Sequence, residues 1–198
     1  MTTPSPERTH HPEPAKAVHH VTDHLLTRLE ARNYRGIDRS EKAMLSRNVP
    51  PDDPGLWLSL RLEDLHGSTG PGLSERDYIA AATAVTAAAQ LWARTDVPHT
   101  RSTTQRVTLL GHVVARIVRD RPTAEDDFAR ALRCHTLSEL LPRLRPLLGD
   151  AAQLDFARLA ADLYTWQQPD GPHRTTQQWA TAYARAKNMI RRAPAPRP

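Results

Sequence analysis

The sequence is short of cysteine, glycine, lysine and phenylalanine, and each shortage closes off a class of protein. Cys134 is the single cysteine, so no disulfide can form within the chain, which fits a reducing cytoplasm. There are 8 glycines and neither a GxxxxGK[ST] nor a GxGxxG pattern, so no phosphate-cradling loop is expected. No segment alternates β-branched and aromatic residues, and no strand is predicted. The longest apolar stretch, Ile79 to Ala89, is alanine-rich, contains two threonines and is too short and weakly apolar to span a bilayer. The opening MTTPSPERTHHPEP has no apolar segment of the kind a secretory signal carries.

What remains is made of helix formers: alanine, leucine, arginine, glutamate and glutamine. The fold class expected is all-α, a compact bundle of about eight to nine helices that can divide into two small lobes. Residues 1–14 read as a disordered Pro/His-rich tail, 15–97 as an N-terminal helical lobe, 98–190 as a C-terminal helical lobe and 191–198 as a disordered Arg/Pro tail. Val18, Val21, Leu25 and Leu29 make one stripe on a first helix over 16–31. A short basic helix follows over 40–47, opened by Asp38. Pro54 then starts a third helix, and 66–72 read as a loop. Ser74 and Asp77 approximate a capping box for a long alanine-rich helix ending near Arg94, buried on most sides. The polar segment 95–104 is the expected link between lobes.

In the second half Val107, Leu110, Val114 and Ile117 share a face, with Arg116 and Arg119 opposite. Thr123 and Asp126 are expected to cap the next helix, where Phe128 and Leu132 point inward and Arg130 and Arg133 outward. Thr136 and Glu139 box the following one, but Pro142 and Pro146 sit inside its leucine pattern and predict a kink or break. Two further helices are expected over 154–167 and 175–189, separated by a Gly171–Pro172 turn.

Catalytic constellations do not assemble. His20 and His24 stand i, i+4 near His10, His11 and His19, but without HExxH or an evident third ligand the simpler reading is a solvated histidine-rich stretch. Cys134 and His135 are adjacent, and i, i+1 side chains face apart on a helix, so they are no dyad; a buried structural cysteine is the default. Glu125, Asp126 and Asp127 stand where a helix N-terminus favours acids, and nothing marks them as a metal site. No GxSxG is present. The chain reads as no enzyme, with no cofactor, no metal and no small-molecule substrate.

The positive signal is charge. There are 27 basic residues against 22 acidic ones, only Lys16, Lys42 and Lys187 being lysines, and the sequence pI is about 9.9. GC-rich coding accounts for much of the arginine-over-lysine bias but not for the net positive sign. Arginine's planar fork suits phosphate, and the recurrence of arginines opposite apolar stripes on successive helices points to a phosphate-tracking surface.

Several stretches together resemble one family. RALRCHTLSELLPRLRPLLGDAAQLDFARLAADLYTWQQPDGPHRTTQQWATAY, above all LDFARLAADLYTWQ followed by a helix with Trp179 and Tyr183, resembles the carboxy-terminal half of the CasB family. HTRSTTQRVTLLGHVVARIV and IDRSEKAMLSRNVPPDDPGLW are similar to its central loop and helix and to its early Arg-rich helix. That family is the small subunit of the type I-E Cascade CRISPR surveillance complex. The resemblance implies a non-catalytic cytoplasmic subunit for antiviral defence, present as two copies beside other Cascade subunits and guide RNA, with no membrane contact. It would bind DNA non-specifically and stabilise the R-loop through the displaced and target strands. The residues implied are Arg39, Lys42, Arg47, Arg101, Arg106, Arg116, Arg119, Arg130, Arg133 and Arg143. Two other readings compete. A helix-turn-helix transcription regulator would need a tight glycine turn before a recognition helix, and no such pair is seen. A hydrolase using the amino-terminal histidines would carry a metal.

Overall fold

A computed structural model describes residues 14–34, 39–62, 65, 73–100 and 109–192. The tails 1–13 and 193–198, Asp38, the 66–72 loop, and Arg101, Arg106 and Val107 of the central loop lie outside the described residues. The described residues form nine α-helices: α1 Pro14–Tyr34, α2 Arg39–Leu45, α3 Pro54–Leu60, α4 Glu75–Thr95, α5 Leu110–Asp120, α6 Ala124–Ala131, α7 Leu137–Leu148, α8 Phe156–Trp166 and α9 Gly171–Arg192. No strand occurs among them; the one extended pairing is an isolated bridge between His99 and Leu154. The all-α expectation holds.

Local chemistry sets most helix starts. Asp53 accepts from Leu56 N at 3.0 Å and Pro54 takes the first helical position of α3, where its missing N–H costs nothing. Ser74 Oγ accepts from Asp77 N at 3.1 Å, and Asp155 Oδ1 from Arg158 N at 2.8 Å. Thr136 Oγ1 accepts from Glu139 N, and the Glu139 carboxylate reaches back to His135 N at 3.1 Å. Thr123 departs from expectation. It has helical backbone and no side-chain cap bond, because the 121–125 turn already satisfies the first amides of α6, Ala124 N donating to Arg121 O and Glu125 N to Pro122 O.

The prolines of α7 do not break it. Pro142 and Pro146 are four residues apart and both exposed, so the amides they lack and the carbonyls they orphan fall on one wet face while Leu140, Leu144, Leu147 and Leu148 stay buried. The expected Gly171–Pro172 turn is instead the first turn of α9. That helix starts four residues earlier than its apolar pattern and runs through Arg192 into the segment read as a tail.

Packing follows from side-chain size. Ala80 to Ala93 of α4 are all buried, and its alanines let α1, α7 and α8 approach closely. α8 lies at the centre, between α1, α4 and α9. Buried apolar side chains from both halves of the chain form one cluster, including Leu26 and Leu29 of α1, Phe156 and Leu163 of α8, and Trp179 of α9. Trp166 stacks on Trp179, ring centroids 5.6 Å apart, and Trp179 Nε1 donates to the buried Asp162 at 2.7 Å. The crossing of α5 and α9 depends on Gly111. A Cβ there would stand 2.1 Å from Trp179 O and 2.6 Å from Tyr183 N. None of the described helices is long and apolar enough to cross a membrane.

Candidate nucleic-acid interface

Of the first-half cations expected from sequence, one is tied to the fold. Lys42 of α2 pairs with Asp96 and lies 5.4 Å over the Trp92 ring, which docks α2 on the end of α4. Arg47 is exposed, and its carbonyl accepts from Arg94. Arg39 opens α2, its side chain outside the described residues.

The second half presents its arginines to solvent, and three of those expected from sequence meet. Arg130 and Arg133 from α6 and its C-terminal turn, with Arg143 from α7, line one shallow groove together with Cys134 and Glu139. This groove is partly self-neutralised. Arg130 lies 3.4 Å from Asp127, and Glu139 faces Arg143. The Glu139 carboxyl is held below its ordinary range chiefly by the His135 amide. Cys134 is buried, its thiol donating to Arg130 O at 3.6 Å.

A second groove forms where α5 crosses α9. Arg116, one of the residues expected from sequence, stands near enough to act on His112 at its edge; His112, Arg174 and Arg185 were not among those expected. His112, Arg174 and Arg185 line it with Gln177, Gln178 and Thr181, and no carboxylate lines it. His112 is held below its ordinary pKa by burial and then by the positive fields of Arg116 and Arg185. Arg174 and Arg185 thus line a groove without a carboxylate, an electrostatic state that an incoming phosphate relieves. The signal for it was present in α9, whose 22 residues hold four arginines, one lysine and no acid. Lys187 is the exception on that helix, held by Glu125 at 2.5 Å.

Arg119 stands apart from both grooves. It is exposed and closed onto Asp120 by two bonds of 2.9 and 3.1 Å. Among the described residues no group of three His, Cys, Asp or Glu side chains gathers as metal ligands.

Residues 41–183 match a known family model, CRISPR-associated protein Cse2. The chain belongs to the Cse2 family. The fold of this Cse2-family chain is similar to the crystal structure of CasB from Thermobifida fusca, with a TM-score of 0.64 and 23% identity over 87% of this chain and 98% of that one. No curated protein sequence matches it.

Proposed function

We propose that this protein is the non-catalytic small subunit of a type I-E Cascade complex, holding DNA open during antiviral defence by sequence-blind contact with its backbone. The observation that carries this is the carboxylate-free groove lined by His112, Arg174 and Arg185 on a member of the Cse2 family. R-loop formation exchanges one duplex for another of similar stability, so a modest excess of phosphate contacts tips it. Arg130, Arg133 and Arg143 extend the contact along α6 and α7, Arg47 adds to it, and Arg39, Arg101 and Arg106 belong to the same contact set. Lys42 serves chiefly to dock α2, and Arg119 contributes least because Asp120 occupies its fork. The partners are the displaced and target strands, the other Cascade subunits with guide RNA, and a second copy of this chain, in the cytoplasm.

The test combines two measurements. Co-expression with the other subunits and guide RNA should yield one co-purifying assembly. The isolated protein should bind oligothymidylate and an unrelated sequence equally, with a log–log salt slope of about −0.7 per single-strand phosphate neutralised. Failure to enter the assembly, or a marked preference for one DNA sequence, would overturn the reading.

A further inference from the structure

A third groove differs in kind from the two arginine grooves. It runs between the 48–52 segment, α4, α7 and the turn from α8 to α9, as two adjoining hollows that share Pro50, Pro51, Ser138 and Leu141. Its floor is apolar, formed by Ala87, Leu91, Leu141 and Ile79, and Ile79 is 43% exposed, an unusual position for isoleucine. One end carries Arg94 and Arg145 with no carboxylate lining that hollow. Burial, and then the field of Arg145, hold the Arg94 guanidinium below its ordinary pKa, and among the described residues its one hydrogen bond is to the uncharged Arg47 carbonyl. Arg94 Nε is buried without a hydrogen-bond partner. At the other end Trp166 lines the groove. Its ring is 2% exposed, and its Nε1–H is also buried without a partner.

The groove thus offers a cationic end that no carboxylate lines and an apolar floor beside it. An extended polypeptide carrying acidic and apolar side chains supplies both. A nucleic-acid strand fits less well, because Asp52 stands on the tryptophan half and would face a continuing phosphate chain. We infer that this groove docks an extended acidic and apolar segment of a partner protein, its carboxylate on Arg94 and Arg145 and its apolar side chains on Leu141 and Ile79. The inference does not rest on the DNA-holding reading, and the experiment separates them.

The probe is a fluorescein-labelled peptide of alternating aspartate and leucine, added to the full chain, with an asparagine–leucine analogue and oligothymidylate as comparisons. The acidic peptide should bind with Kd on the order of 10–100 µM and the neutral analogue about tenfold more weakly. Arg145→Gln should weaken the acidic peptide about fivefold and oligothymidylate less than about twofold. Ser138→Trp, an exposed change that plugs the junction of the two hollows, should abolish peptide binding alone. In the ¹⁵N spectrum the indole signal of Trp166, assigned with Trp166→Phe, should shift on peptide addition. Equal binding of the two peptides, or an unmoved Trp166 signal at saturation, would overturn the inference. So would oligothymidylate competing for the groove and losing affinity in parallel with the peptide, which would make it a nucleic-acid site instead.

Discussion

The groove between α6 and α7 and the groove between α5 and α9 are both lined by arginines, yet they are electrostatically unlike. In the first, Asp127 and Glu139 answer Arg130 and Arg143 within the fold. In the second, no carboxylate lines the groove beside Arg174 and Arg185, and His112 is depressed by burial and then by Arg116 and Arg185. Charge available to a partner is thus the charge left after the fold's own pairing. A stretch of sequence rich in arginine can present little of it, while a helix without acids presents nearly all.

The largest effect should come from removing the scaffold of one groove and sparing the other. Gly111→Ala drives a methyl into the α9 backbone, and we expect a loss of about 3 kcal/mol or more, a Tm fall of about 10 °C in thermal unfolding. If the variant melts like the parent, the α5–α9 crossing is wrongly described.

Next come the grooves themselves. Replacing Arg174 and Arg185 together by alanine should weaken oligothymidylate binding by about tenfold at low salt and flatten the salt slope by about 1.4. The same change at Arg130 and Arg133 should cost only about threefold, since Asp127 already engages Arg130. Equal losses in fluorescence anisotropy would erase the distinction between the grooves.

A smaller effect should appear with pH. In the free protein His112 is held below its ordinary value of 6.5 by burial and by its arginine neighbours, so it resists protonation. A bound phosphate offsets those neighbours, raises the histidine pKa and draws in a proton. Affinity must then rise as pH falls through the bound-state pKa and level off below the free-state one. We expect a gain of about threefold on lowering the pH from about 7.5 to 5.5, absent in His112→Ala. Folding stability runs the opposite way. A folded pKa below the unfolded one means the unfolded chain binds more protons, so the free protein loses stability as pH falls through the window beneath 6.5. The smallest effect belongs to Arg119. Because it and Asp120 cancel on an exposed surface, replacing both by alanine should leave DNA affinity and Tm within about 1 °C of the parent.

Much of the fold was legible because periodicity and capping act within a few residues. The stripe Val18, Val21, Leu25 and Leu29 is buried as its spacing implies, and Ser74 and Thr136 cap where their neighbours predict. Arg116, Arg119, Arg130 and Arg133 are exposed because a face opposite an apolar stripe has nowhere else to go. The proline reading failed for a reason outside that local logic. Whether a proline ends a helix depends on where its orphaned carbonyl points, and in α7 that is water on a face the core does not need.

By itself the sequence determined the helical class, the faces that turn inward, the net positive sign and a resemblance spread over many short motifs, since each depends on residue type and near-neighbour spacing. Only the tertiary structure decided which cations are spent. Lys42 is joined to Asp96 from a helix 54 positions away in sequence, and Lys187 to Glu125 across 62. It also decided which basic side chains converge, bringing His112 of α5 against Arg174 and Arg185 of α9 through a crossing that a single glycine permits. Pairing and convergence are set by distance in space, and distance in space is fixed by how α4, α8 and α9 pack.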